Sequence, residues 1–212
     1  MSKLIIIGAS GHGKVIADIA CQCGYTELAF LDDNNSIKTC MGYPIIGKTS
    51  EISKFAGMDF FVAIGNPNIR EKVQRDIIEQ ELSLATLIHP EAVVAKTVYI
   101  GIGTVVMAGA VINPDTSIGE GCIINTSSSV DHDNVLENYV HISIGSHLAG
   151  NVYVDKGTWI GAGAVVSNNV YICGNCTIGA GAVVVKDITI PGTYIGVPAK
   201  MKGKNYEDIN SC

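Results

Sequence analysis

From Ile100 onward an aliphatic residue falls at every sixth position: Ile100, Val106, Ile112, Ile118, Ile124, Val130, Leu136, Ile142, Leu148, Val154, Ile160, Val166, Ile172, Ile178, Val184 and Ile190. Helices place apolar residues near a period of 3.6 and simple strands at a period of 2. A strict period of six rich in β-branched side chains therefore predicts short strands turning at fixed intervals, a hexapeptide β-solenoid. Ile88 and Val94 extend the phase backward and Gly196 ends it. Two residues before these positions stand small or β-branched residues such as Val98, Thr104, Ala110, Thr116, Cys122 and Ser128, which predicts a second inward station and a tight aliphatic interior. One residue after them come Gly101, Asn113, Gly119, Asn125, Asp131, Asp155, Gly161 and Gly179, read as the turns that need positive φ. Gly101 and Gly119, like Gly161 and Gly179, are separated by three hexads. A coil of that length makes a triangular prism, whose successive coils stack at about 4.8 Å.

The chain ahead of the repeat follows another rhythm. Lys3 to Ile7 reads as a buried strand running into Gly8-Ala9-Ser10-Gly11-His12-Gly13, after which Val15, Ile16, Ile19 and Ala20 form a helical stripe. Leu28 to Leu31 is a second strand closing on Asp32-Asp33, and Asp59 to Ile64 a third closing on Gly65-Asn66-Pro67 ahead of an amphipathic helix. Alternating β and α predicts a small parallel sheet. Residues 1–84 are thus expected to form a Rossmann-like α/β domain, 85–196 an all-β solenoid and 197–212 a C-terminal tail. The glycine-rich turn offers backbone N–H groups at a helix N-terminus, where the macrodipole favours an anion such as a pyrophosphate. Its GxxGxG spacing departs from the GxGxxG of dinucleotide enzymes, and the acidic pair ending the next strand stands where a ribose is met in this architecture.

Net charge is −6 and the basic residues are scattered, which excludes a nucleic-acid partner. Gly, Pro or charge interrupts every apolar run before the length of a membrane span, so no membrane insertion is expected. The apolar start is too short for a signal peptide, so a cytoplasmic location follows, with the seven Cys reduced. Cys173 and Cys176 form a lone CxxC, read as apolar positions: no second pair exists for zinc, and the repeat puts the two on different stations.

Six motifs carry a family resemblance: GASGHGK at 8–14, FLDD at 30–33, AIGNPNIR at 63–70, INTSSSVDHD at 124–133, VHISIGSHLAGNV at 140–152 and GVPAK at 196–200. Over essentially its whole length the chain resembles the sugar acyltransferases that include sialic acid O-acetyltransferases and the UDP-4-amino-sugar N-acetyltransferases of bacillosamine biosynthesis. The resemblance implies a left-handed β-helix, a homotrimer, and acetyl-CoA bound along the groove between subunits. It implies a nucleotide-sugar substrate on the N-terminal domain, at Ser10, Gly11, His12, Asp32, Asp33, Gly65 and Asn66.

Acyl transfer from a thioester needs a general base and hydrogen-bond donors where the carbonyl oxygen becomes negative. His132 stands at a turn between Asp131 and Asp133, outside the inward stations, where a carboxylate raises imidazole basicity and fixes its tautomer. The resemblance assigns the base to His132 and its supporting carboxylate to Asp133. Gly150, three hexads beyond His132, stacks above it and offers an N–H to the oxyanion. By resemblance Asn125 is a substrate residue, alternatively a structural turn, and His141, Ala162 and Ala180 contact acetyl-CoA. Trp159 is read as cofactor wall or trimer packing. Lys186, Lys200, Lys202 and Lys204 read as a solvated basic set or as contacts to CoA phosphates. His89 and His147 are read as structural.

The function expected is acetyl transfer from acetyl-CoA to a nucleotide-linked amino sugar, specifically a UDP-4-amino-6-deoxy sugar, with no metal. The N-acetylating relatives carry Glu at the sites of Asp131 and Asp133, while the sialic-type sequences look more like DHD, so sugar O-acetylation stays open. So do a non-catalytic nucleotide-sugar-binding trimer and a zinc enzyme using His132, His141 and His147.

Overall fold

The structure, a computed structural model, describes residues 3–203. Its first part is a six-stranded sheet built from β1 (Lys3–Ile7), β2 (Glu27–Leu31), β3 (Thr39–Cys40), β4 (Tyr43–Gly47), β5 (Asp59–Val62) and β6 (Ser83–Leu84), in the order β3-β4-β2-β1-β5-β6. All pairs are parallel except β3 with β4. β1 is apolar at four successive positions because both its faces are covered. Leu4 and Ile6 pack with Ile16, Ile19 and Ala20 of helix α1 (Gly11–Gln22), while Ile5 and Ile7 pack with Val73 and Ile77 of α2 (Pro67–Glu79). The β3-β4 hairpin and a 3₁₀ turn at Thr49–Phe55 were not legible, since Pro44 breaks the strand pattern and β3 has two residues.

Beyond β6 the chain winds into a left-handed parallel β-helix with two-residue strands on three faces. On the first face Leu87, Val105, Ile123, His141, Trp159 and Thr177 stack in register, each one full coil from the last. From Val106 to Val184 every sixth residue is at most 2% exposed, so the hexad period is the fold.

Three expectations need correction. Ile190, in phase with the repeat, is 52% exposed, and Ile188 takes the inward place at 4%. The last coil cuts its corner: Ile188 bridges Ile172 and Thr193 pairs Thr177, both at 16 residues, while Asp187 Oδ1 accepts the Tyr171 N–H. Positive φ falls three residues after the aliphatic station, at fourteen consecutive turns from Gly103 to Gly181, and not one residue after it. The station one after is glycine at 101 and 161 for a different reason, since a Cβ there would meet the backbone of the next coil at 2.5–2.6 Å. The second inward station is not simply aliphatic: Thr104, Thr116, Ser128, Asn134, Ser146 and Thr158 are all buried there, and their side chains bond to turn carbonyls. Cys173 and Cys176 do come together, Sγ to Sγ 3.5 Å, because one corner joins their two stations.

The two parts share a core. Leu87, Val105, Met107 and Ile123 of the first solenoid face pack with Leu4, Ile6 and α1. Arg70 of α2, 1% exposed, donates from Nε to Gly121 O at 2.7 Å and from Nη2 to Tyr139 O at 2.9 Å in the solenoid. Its Nη1 donates to Ile64 O and Gly65 O. Burial, unrelieved by a carboxylate among these partners, lowers its pKa to about 10. Past the prism, Lys200–Met201 returns antiparallel to Thr193–Ile195, so the segment after 196 is not only solvated tail. Lys204 lies outside the described residues.

Candidate active site

Each corner of the prism ends in a residue of left-handed backbone, and Asp133 holds that place with φ 56°. Aspartate tolerates it where a β-branched residue does not. The corner leaves His132 well exposed, with Nδ1 2.7 Å from Asp133 Oδ2. Asp131 Oδ1 accepts the His132 N–H and the Asn113 Nδ2, each at 2.8 Å, which keeps its carboxyl below the usual carboxylate range. The Asp133 bond, then the charges of Asp131 and Asp133, hold the His132 pKa above its ordinary value. With its Nδ1–H given to Asp133, the neutral ring presents an Nε2 lone pair to solvent.

One coil on, Gly150 lies against that ring: a Cβ there would stand 2.6 Å from both Cε1 and Nε2. The Gly150 carbonyl accepts the Asn169 N–H, whereas its own N–H has no partner among the described residues. A proton acceptor and an unspent N–H donor therefore share one corner. That pairing is what attack on a carbonyl requires.

A second group lies on the first face. The rings of His141 and Trp159 stack with centroids 5.5 Å apart and planes 2° from parallel. Asn125 Nδ2 stands 3.3 Å from His141 Nε2, and Trp159 Nε1 donates to Ser143 Oγ. Burial, then the charge of Arg70, lowers the pKa of His141 to about 3 and of His12 to about 4. Both rings are neutral at neutral pH. His12 Nε2 is buried without a hydrogen-bond partner. This convergence of His12, Arg70 and His141 went unread, and its one signal was an Arg four residues beyond the Asn66 cap in AIGNPNIR.

The third group surrounds the glycine-rich turn, where Gly8, Ser10, Asp32, Asp33, Thr49 and Gly65 line a cleft of about 300 Å³. Gly13 lets α1 sit close over β1, since a Cβ there would be 2.1 Å from Gly8 O. Asp32 Oδ2 accepts the Ala9 N–H at 2.7 Å and Oδ1 the Asn34 N–H at 2.8 Å, while Asp33 Oδ1 accepts from Thr49 N. Asn66 caps α2, its Oδ1 accepting from Asn68 N and Ile69 N. Gly11 opens α1 beside the cleft, while His12 is not among the residues that line it and feels the charge of Arg70.

Ala162 and Ala180 are exposed at the same corner of successive coils, with Gly181 N donating to Ala162 O. His89 is buried and accepts the Glu91 N–H at Nδ1, and His147 pairs with Ser129 on the second face. Among the described residues no three of His, Cys, Asp or Glu gather to hold a metal ion, and no helix is long and apolar enough to cross a membrane.

A triangular parallel solenoid carrying an exposed, carboxylate-backed imidazole, preceded by a small α/β domain, is the architecture of the β-helix acyltransferases. Residues 3–77 match the family model of the PglD N-terminal domain. The acetyltransferase domain of PglB from Neisseria gonorrhoeae superposes with a TM-score of 0.92 at 40% identity, over 95% of this chain and 100% of that one, and its complex with acetyl coenzyme A is known. PerB from Caulobacter crescentus, in complex with CoA and GDP-perosamine, gives 0.89 at 39%, over 96% and 98%. The UDP-N-acetylbacillosamine N-acetyltransferase of Bacillus subtilis is 36% identical over 50% of this chain, and the chain spans 52% of its length and 20% of a matching mimivirus protein. The chain belongs to the sugar N-acetyltransferase family of these proteins.

Proposed function

We propose that the protein transfers an acetyl group from acetyl-CoA to the amine of a nucleotide-linked amino sugar, with a UDP-4-amino-6-deoxy sugar as the acceptor. His132 takes the proton from the acceptor amine as its nitrogen attacks the thioester carbonyl. Asp133 holds the ring in the tautomer that leaves Nε2 free, and the Gly150 N–H meets the oxygen as it becomes negative. The single observation that carries this is the 2.7 Å His132–Asp133 pair beside the unspent Gly150 N–H.

The cleft bounded by Ser10, Asp32, Asp33 and Gly65 takes the nucleotide, with Gly11 at its rim. Asn125 orients acceptor or cofactor through His141. His141, stacked on Trp159, walls the acetyl-CoA path, and the exposed Ala162 and Ala180 leave backbone open to a pantetheine arm. The chains assemble as a homotrimer with acetyl-CoA between neighbours, in the reducing cytoplasm where the thiols stay free. Thiol release from acetyl-CoA, screened over UDP-4-amino sugars, GDP-perosamine and sialic acids and followed by NMR location of the new acetyl group, tests acceptor and bond together. Thiol release only with sialic acids would favour the O-acetyltransferase reading, and none with any acceptor the binding-trimer reading.

A further inference from the structure

Where the second inward station carries threonine, its hydroxyl links two coils. Thr104 Oγ1 donates to Gly119 O and accepts from Cys122 N; Thr158 Oγ1 donates to Cys173 O and accepts from Cys176 N. The carbonyl lies 15 residues ahead and the N–H 18 ahead in both cases. Asn134, 0% exposed, keeps this pattern with Nδ2 to Ala149 O at 3.0 Å and Oδ1 from Val152 N at 3.0 Å. Its amide reaches further than a hydroxyl. Nδ2 also donates to Asp131 O at 2.6 Å and, more weakly, to His132 O at 3.3 Å. One buried carboxamide thus grips the peptides on both sides of His132 and the Ala149–Gly150 peptide.

A trans peptide points its C=O and N–H in opposite directions. Because the Ala149 carbonyl is drawn inward to Asn134, the Gly150 N–H faces out of the prism, where no acceptor among the described residues meets it. We infer that Asn134 is a positioning residue for acyl transfer, fixing the Gly150 N–H toward the acyl oxygen through the Ala149 carbonyl. The inference rests on the roles proposed above for His132 and Gly150.

Valine already stands at this station at 140, 152 and 170, so Asn134→Val is compatible with the coil. Threonine, as at 104 and 158, restores the bond to the carbonyl 15 residues on, which here is Ala149 O. The variants are assayed with acetyl-CoA and the UDP-4-amino sugar and GDP-perosamine acceptors, beside His132→Ala. Removing an oxyanion donor costs about 10²- to 10³-fold, so releasing its orientation in Asn134→Val is expected to lower kcat by about 10- to 100-fold. Both KM values should stay within about twofold and the acid limb should not move, because the Asp131 and Asp133 carboxylates that raise the His132 pKa are retained. Asn134→Thr should recover most of the loss. Near-normal kcat in folded Asn134→Val overturns the inference, as does a Thr variant no better than Val, or a loss confined to KM. If Asn134→Val does not fold, Asn134→Ala, the residue at 110, 164 and 182, takes its place. A fully active His132→Ala would instead overturn the underlying assignment, and with it this one.

Discussion

Gly150 and His132, one full coil apart, are in such contact that the missing Cβ of one would lie 2.6 Å from the ring of the other. The atoms it would meet are the free end of a rotatable side chain, and Gly150 has no left-handed backbone that alanine would strain. Gly150→Ala should therefore fold and assemble normally while displacing the imidazole. Misplacement by about 1 Å costs on the order of 10²-fold, and steady-state kcat beside a thermal melt checks both halves.

Loss of a general base costs about 10²- to 10⁴-fold, so His132→Ala should lower kcat that far. His132 is exposed and outside the core, so the melting temperature should hardly change. Normal turnover by the folded variant would remove His132 from the mechanism.

Asp133→Asn keeps a residue that accepts left-handed backbone but removes the charge that raises the His132 pKa. The base must be unprotonated to act, so the acid limb of the pH–rate profile should move to lower pH as kcat falls modestly. Product formation across pH, with the amine's own titration measured separately, decides it.

Asp32 ties the Ala9 N–H to the end of β2 and so shapes the glycine-rich turn. Asp32→Ala should weaken nucleotide-sugar binding in calorimetry and leave acetyl-CoA binding nearly unchanged. Equal losses for both ligands would mean that the cleft serves CoA or that the domain is damaged.

His12 and His141 are held neutral when folded, with pKa values of about 4 and 3 against 6.5 when unfolded. Below pH 6.5 the unfolded chain binds more protons than the native one, so stability falls as pH drops through that window, by up to about 1.4 kcal/mol per pH unit for each ring. Urea melts at pH 7.5 and 5 should show the loss, and His141→Gln should flatten it. An unchanged slope in that variant would place the acid sensitivity elsewhere.

Periodicity made the solenoid legible because a six-residue repeat with three hexads per coil has only one way to bury its aliphatic column. It failed at Ile190, where Asp187 supplies a side-chain acceptor that lets the chain cut a corner. His132 was legible because its partners are its own neighbours in sequence. Arg70 was not, since its partners in the solenoid lie 51 and 69 residues away, and neither was Asn134, because which backbone groups its buried amide meets depends on how the peptides of the next coil are turned.

The sequence by itself determined the coil, the stacking interval and the local Asp-His-Asp turn, all set by short-range pattern and covalent proximity. The tertiary structure alone decided where the left-handed residues fall, which carbonyls the buried amide of Asn134 holds, and how Arg70 joins the two parts. These depend on backbone direction and on desolvated hydrogen bonds between distant segments, and neither is written in the order of residue types.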